Sequence, residues 1–573
     1  MKKRIAILGG GPSSLFIYKR FTEAINPNLE LHIFESKRQL GAGMPYSDQG
    51  ANMEHVTNVS DNEVPEIVTS IQEWLELLPE KMLEDFNIDK NKFNEYKVLP
   101  RLLFGLYLSN QFEMLINRAK EQGIVTEVHL DSLVVDITDH PEKNKTSVEI
   151  AGKGVFDFDQ VIICTGHNWP KKHEGMVPGY FDSPYPPAKL RLKLNHAVAL
   201  RGSSLTAVDA IRTLARMNGS FGKNKEGKLA YHPADDSPDF KIVMHSRNGL
   251  LPAVRFHLED PLVSSDSMLS KEEIQKNRDE NEGFLSLDFL FEKEFKDTFR
   301  EKDPAFYAKI KDLTMEEFVD SMMALRENRE PFALFREEYD EAERSIRNHK
   351  SIYWKEMLAV MSFAMNYPAK YLAAEDMQRL QKVLMPLVSV VIAFVPQSSC
   401  EELLAVHQAG RLEMVSVGED SFTTPFEAGG INYEYTDEAG HEKIVHFNTF
   451  IDCVGQPHLS YADFPFKGLM ENETISPAKI KYRSALAAQA QEEAGNKKVI
   501  RDGQGQYYME VSGITINDNF QIVDPRGNAS DRIYIMAVPY IGGYNPDYSG
   551  LDFCEEASSY IVNNILNKEV AII

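Results

Sequence analysis

The stretch Ile5-Ala-Ile-Leu-Gly-Gly-Gly-Pro-Ser-Ser-Leu15 constrains this chain more than any other. An apolar run ends in three glycines and passes directly into a helical pattern, which predicts a buried strand, a tight turn and a helix. Gly9 makes the turn, and Gly11 lets the backbone approach a pyrophosphate. The first helical turn, with Ser13 and Ser14, then offers free N–H groups and the positive end of the helix dipole to that anion. A second apolar strand, Leu29–Phe34, leads into Glu35, 26 residues after Gly9. A carboxylate there can take the hydroxyls of an adenosine ribose. Ser14 stands where the fingerprint has a third glycine or alanine, so helix and strand are expected to pack slightly less closely. The order of strand, glycines, helix, strand and acid predicts a dinucleotide site.

The pattern returns in weaker form. Ala197–Leu200 reads as a short strand, followed by Gly202, Ser204 and Ala207 in the three fingerprint positions as G-x-S-x-x-A. Serine in the middle position degrades the match. The strand Lys241–His245 then ends in Ser246-Arg247, and an arginine at that point is placed to meet a ribose 2′-phosphate, which favours NADPH over NADH. Two such units suit a protein that holds two dinucleotides.

A chain of 573 residues is too long for one core. The expected fold class is α/β, with two Rossmann-like dinucleotide-binding lobes and a mostly helical insertion. The expected domains are a discontinuous FAD-type lobe (1–191 and 430–573), an NAD(P)-type lobe (192–253 and 386–429) and a helical insertion (254–385). In the first lobe, Ile71–Leu78 and Leu102–Gln122 carry helical periodicity, and Val125–Leu130, Leu133–Thr138 and Ser147–Ile150 read as strands. From residue 430 the chain is expected to return to the first sheet. Ile431–Thr436 and Lys443–Phe447 should form a hairpin, and Phe450–Val454 with Gly455-Gln-Pro457 repeats the apolar strand Val161–Thr165 with its Gly166. The apolar run Leu384–Val395 is too short to span a bilayer and is expected to be a buried strand. The charge run Arg336–Glu343 reads as a solvated helix face, without the histidines of a di-iron cluster.

Composition narrows function. The 62 basic and 86 acidic residues give a formal charge of −24, a field that repels nucleic acid and anionic membranes. The four cysteines, Cys164, Cys400, Cys453 and Cys554, form no C-x-x-C pair, so neither a zinc site nor a dithiol redox centre is expected, and no metal is expected. Lys2-Lys-Arg4 precedes too short an apolar run for a signal peptide, and a cytoplasmic protein is expected. No G-x-S-x-G, H-E-x-x-H or Walker loop is present.

Gly41-Ala-Gly43-Met-Pro-Tyr46, His55-Val-Thr-Asn58, Pro100-Arg101 with Phe104-Gly105, and Val161–Thr165 with Gly166 complete the picture. In combination these motifs resemble the FAD/NAD(P)-binding proteins related to flavin-dependent N-hydroxylating and Baeyer–Villiger-type monooxygenases. The resemblance implies FAD at the first site, bordered by Gly41, Gly43, Tyr46, Val135, Thr165 and Gly166, and NADPH (or NADH) at the second. It implies hydroxylation of a small amine, amino acid or similar nucleophile by molecular oxygen through a flavin C4a-hydroperoxide. The alternative is an NAD(P)H oxidase or reductase, or a non-oxygenating flavin module. Asn58, His55 and Arg101 are the candidate residues around the flavin and substrate. In related flavoproteins a last strand and helix close over the FAD. Here these are Arg532–Val538 and the helix from about Phe553, with Gly542 and either Asp547 or Asp552 as cofactor contacts.

Overall fold

The computed structural model describes residues 2–259, 269–456, 458–546 and 550–570, so Pro457 and Asp547 lie outside the described residues. Two parallel sheets organise the molecule. The first has six strands in the order Gln521–Val523, Ala529–Ile535, Gln160–Ile163, Lys3–Leu8, Leu29–Phe34 and Val125–His129. All neighbours are parallel except the outermost pair at 521–523 and 529–535. Ile5–Leu8, Val161–Ile163 and Ile533–Ile535 are wholly enclosed. A strand buried on both faces reads as a continuous apolar run, and the sequence shows one at each of these places.

The second sheet is entirely parallel, in the order Tyr180–Phe181, Thr449–Asp452, Ala197–Arg201, Lys241–Ser246 and Leu412–Ser416. It corrects the expected return of the chain at residue 430. Ile431–Thr436 and Glu442–Phe447 do form an antiparallel hairpin, but it packs on the second lobe through Ile431, Tyr433 and Phe447. Thr449–Asp452 then joins the second sheet beside Ala197–Arg201, and the chain regains the first sheet only with Gln521–Val523 and Ala529–Ile535. The repeated apolar-strand-then-glycine pattern marks equivalent places in two different sheets.

The insertion is helical, and its helices begin on strong caps. Ser270 and Thr314 each close a capping box with a glutamate three residues on, and Asp303 caps a helix that starts with Pro304. Most of Leu384–Val395 is helical, against expectation: Met385–Val391 is an α-helix with Pro386 in its first turn, continuing from a π-turn at Leu380–Leu384, and only Val395 makes a β-bridge, with Val254. Periodicity does not separate strand from buried helix in so short an apolar run, and the packing decided. The charge run Arg336–Glu343 is largely solvent-facing, as expected, and departs from expectation at one acid. Glu338 is buried, held by Arg326 at 2.6 Å and Lys355 at 3.2 Å. No helix among the described residues is long and apolar enough to cross a membrane.

Candidate functional site

The first glycine turn is fixed by backbone contacts on three sides. The Gly9 N–H donates to Phe34 O at 2.8 Å, and the Cys164 N–H donates to Leu8 O at 2.8 Å. Gly9 has φ +102°, and a Cβ there would stand 2.6 Å from Cys164 O. Only glycine adopts that angle without strain, and only glycine leaves room for the neighbouring strand. The Gly10 N–H donates to Glu35 Oε2 at 2.6 Å, so the expected ribose carboxylate also braces the turn. The helix Pro12–Glu23 starts on Gly11 with no side-chain cap and Pro12 in its first turn, which leaves first-turn amides free for an anion.

The Gly41–Tyr46 loop lies over this turn. A Cβ on Gly11 would meet only the Gly43 backbone, its Cα at 3.2 Å, and one on Gly41 would meet Leu108 O at 2.5 Å. The helix Arg101–Glu121 admits the loop at Gly105, where any side chain would collide with Tyr46 O. The Tyr46 ring packs edge-on against Phe104 at 4.9 Å, and burial pushes its hydroxyl up to about 12. Ser14 is wholly enclosed, and the oxygens Ser14 Oγ and Thr165 Oγ1 are buried without a protein partner. Ser13 Oγ lies 3.5 Å from Cys554 Sγ on the last helix. A cradle that a Cβ would fill, uncapped helix amides and an orphaned Thr165 hydroxyl fit a bound dinucleotide.

The second turn reproduces the backbone contacts of the first. The Gly202 N–H donates to His245 O at 2.8 Å, and the Cys453 N–H donates to Arg201 O at 2.8 Å. Gly202 has φ +108°, and its Cβ would stand 2.8 Å from Cys453 O. The helix Leu205–Met217 begins on Ser204 with φ −84° and ψ −167°, against −82° and −164° at Gly11, and it too lacks a side-chain cap. Serine in the middle position therefore leaves the backbone of the turn unchanged. Ala207 is fully enclosed against the sheet. Because His245 here matches Phe34 in the first turn, Ser246 stands where Glu35 stands. Ser246 Oγ is buried without a partner, and Arg247 is exposed beside it with no ion pair among the described residues.

Between the lobes lies a buried polar network that gathers two of the three expected catalytic residues. Arg101 donates through Nε to Val56 O at 3.0 Å and through Nη1 to Asp209 Oδ2 at 2.5 Å. Tyr185 OH donates to the same Asp209 oxygen at 2.8 Å. Burial works against the Arg101 charge, but the Asp209 carboxylate outweighs it and holds the group firmly cationic. Burial would favour neutral Asp209, and Arg101 keeps it below the usual carboxylate range. The enclosed His55 ring accepts from the Asn52 N–H at 3.1 Å, so its Nε2–H faces Asp209 O and Thr213 Oγ1 at 3.2 and 3.1 Å. Burial lowers its pKa, and the ring is neutral. Each side chain thus bridges the first lobe to the helix that carries the second turn, Arg101 from Val56 to Asp209 and His55 from Asn52 to Asp209 and Thr213. Asn58 is half-buried on the strand Val56–Ser60, and its carbonyl accepts from Arg255, which also pairs with buried Glu63.

The remaining expected residues lie on three separate elements. Val135 sits exposed at an irregularity of the small sheet 134–158. Gly542 lies against the His458 ring, which leaves no room for a side chain. Asp552 is in the first turn of the last helix, Gly550–Val570, where burial and then Glu63, Glu555 and Glu556 push its carboxyl up to about 7. Asp209, Tyr185 and Arg255 escape the sequence reading. The one available signal was an acid embedded in the apolar face of a helix, at Ala207-Val-Asp209-Ala-Ile211. The four cysteines are all buried and free of disulfides.

Two family models match parts of this chain. Residues 6–168 match the FAD-NAD(P)-binding family model, and residues 270–392 match that of the YdhS-like middle domain. The uncharacterized protein YdhS of Escherichia coli strain K12 is 29% identical over 477 residues, 82% of this chain and 86% of that protein. Two solved structures are similar at low identity. The ornithine N-hydroxylase of Kutzneria sp. 744 has 13% identity and a TM-score of 0.46, covering 99% of this chain and 100% of that one. The bacillithiol disulfide reductase of Staphylococcus aureus has 11% identity and a TM-score of 0.42, covering 99% of each. The chain carries an FAD-NAD(P)-binding domain, and FAD with NAD(P) is its cofactor set.

Proposed function

We propose that this protein is an FAD-dependent oxidoreductase that draws its electrons from NADPH and uses oxygen to hydroxylate a small amine, amino acid or similar nucleophile. The observation that carries the two-dinucleotide reading is the doubled turn, with Gly9 and Gly202 in the same hydrogen-bond frame and Gly11 and Ser204 at the same backbone angles. FAD, when bound, supplies the two-electron redox chemistry, which no side chain can. Gly9 to Ser14, Glu35, Gly41, Gly43 and Thr165 hold it in this reading, with Asp552 beside them as a carboxyl that keeps its proton near neutral pH.

Ser246 and Arg247 support the choice of NADPH. A carboxylate in the Glu35 position would repel a 2′-phosphate. The neutral Ser246 hydroxyl and the exposed Arg247 guanidinium can receive one, and Arg suits phosphate geometry. His55 and Arg101 are positioning residues in this reading: they hold the second-turn helix on the first lobe, His55 with both ring nitrogens engaged and Arg101 through its ion pair with Asp209. Asn58 is the remaining candidate for substrate contact.

The motif resemblance supports the oxygen-using branch, and the cysteines weigh against a thiol relay. Burial pushes the Cys554 thiol up to about 12, so it is not a thiolate at neutral pH. The test follows NADPH consumption, hydrogen peroxide and product together across a panel of amines and amino acids. Peroxide falling below NADPH consumed, with hydroxylated product making up the difference for one substrate class, is the expected result. Peroxide equal to NADPH with every compound would assign the protein to the oxidases.

A further inference from the structure

We infer that the edge of the first sheet carries a binding site for one divalent transition-metal ion of the zinc class, held by His32, Glu127 and His129. The parallel register sets Glu127 opposite His32 and His129 opposite Phe34. Glu127 and His129 are two residues apart on the edge strand, so their side chains rise from one face. His32 Nδ1 lies 3.2 Å from His129 Nε2 and 3.5 Å from Glu127 Oε2. His129 Nε2 lies 3.6 Å from the same carboxylate oxygen. A tetrahedral zinc ion with bonds of about 2.0–2.1 Å sets its donor atoms about 3.3–3.4 Å apart. The three atoms form a near-equilateral triangle of that size.

With both rings neutral, the protons do not satisfy this triangle. His32 Nε2 lies 2.8 Å from Glu30 Oε1, a carboxylate that can only accept, so the ring proton is on Nε2 and Nδ1 presents a lone pair. Arg4 Nε donates to the same Glu30 oxygen at 3.0 Å and fixes it there. Among His32 Nδ1, Glu127 Oε2 and a neutral His129, only the His129 Nε2–H can be shared, and it can serve one acceptor well. The His32 and Glu127 lone pairs then face each other. A cation at the centre satisfies all three, and the pair of Glu30 and His32 is the carboxylate-to-histidine support that metal-bound histidines usually have.

The rings are held for this role. His129 stacks on Phe34 at 4.5 Å and on His32 at 5.5 Å, and His32 meets the edge of Phe158 at 5.1 Å. His32 is buried, whereas the Glu127 side chain is about half exposed, 53%. The ion therefore enters from the Glu127 side and keeps a water in its fourth position. No other group of three histidine, cysteine or acidic side chains with this convergence occurs among the described residues. The site was hidden in the sequence because its ligands sit 95 residues apart and use no cysteine.

The test is calorimetric titration of the full-length, FAD-loaded protein, stripped by a chelator, with zinc chloride. One ion per chain is expected. Affinity should fall at least tenfold in His129→Ala and in Glu127→Gln, and about 10–100-fold in Glu30→Gln, which alters only the support of His32. Cobalt(II) in place of zinc should give the visible bands of a four-coordinate ion, lost in His129→Ala. Retained flavin absorption shows that each variant is folded, and Glu127→Gln, on the exposed edge, serves if His129→Ala is not. Absence of binding heat, or one-to-one binding unchanged in both Glu127→Gln and Glu30→Gln, would overturn the site.

Discussion

At Gly11 the loop above the turn leaves little room for a side chain. A Cβ there would press on the Gly43 Cα at 3.2 Å, and the branched side chain of a valine would reach into the space where backbone amides meet the phosphates. Gly11→Val is expected to yield a folded protein that purifies without its yellow colour, and full retention of flavin would show that the turn is not the cofactor site. Arg247 makes a different test, because its side chain is exposed and supports no packing. Arg247→Ala should raise the KM for NADPH about 10–100-fold and leave that for NADH nearly unchanged, the worth of a charge-assisted contact of roughly 1.5–3 kcal/mol. Equal effects on the two would assign Arg247 no part in phosphate recognition. These residues were legible in the sequence because their constraints are local. A glycine that must take positive φ, and an arginine at the end of a strand, announce themselves within a few residues. Asp209 did not, since its partner Arg101 is 108 residues away and nothing in the helix itself names it.

The helix Leu205–Met217 shows how an element is held in place by a network rather than by its own sequence. Removing Arg101 leaves the Asp209 carboxylate buried without its counter-ion, which costs about 3–5 kcal/mol. Arg101→Ala should therefore loosen the second turn and lower the thermal transition. Adding Asp209→Asn should recover part of the loss, and simple additivity of the two changes would mean that they do not act together. In the helical insertion, burial holds Glu294 up to about 7, with one oxygen taking the Leu269 N–H and the other unpartnered. The unfolded chain releases this proton near its ordinary value of 4.5, while the folded chain keeps it until about 7. Stability is thus lost as pH rises through that window and is lowest above it. Glu294→Gln should be more stabilising relative to the parent at about pH 8 than at about pH 5, and a margin independent of pH would contradict the buried acid. The same insertion shows where sequence reading stops. The run Leu384–Val395 has strand-like composition and helix-like packing, and Glu338 lies in a charge run yet is buried, because ion partners on two other helices are in reach.

In the whole molecule, the two sheets place equivalent turns on either side of a buried seam made by His55, Arg101, Tyr185 and Asp209. The alternation of strand and helix made both lobes legible. Where the chain crosses back from one to the other was not, because Thr449–Asp452 and Val161–Ile163 have the same apolar character and only pairing distinguishes them. The central claim is that the second turn delivers electrons to a flavin held at the first. Anaerobic mixing with NADPH, followed by the visible flavin band, tests it most directly. The parent protein should bleach, and Gly202→Val should keep its FAD but bleach far more slowly, since its side chain would press on Cys453 O at a φ of +108°. A flavin that NADPH leaves oxidised, or one reduced equally fast in Gly202→Val, would contradict the account.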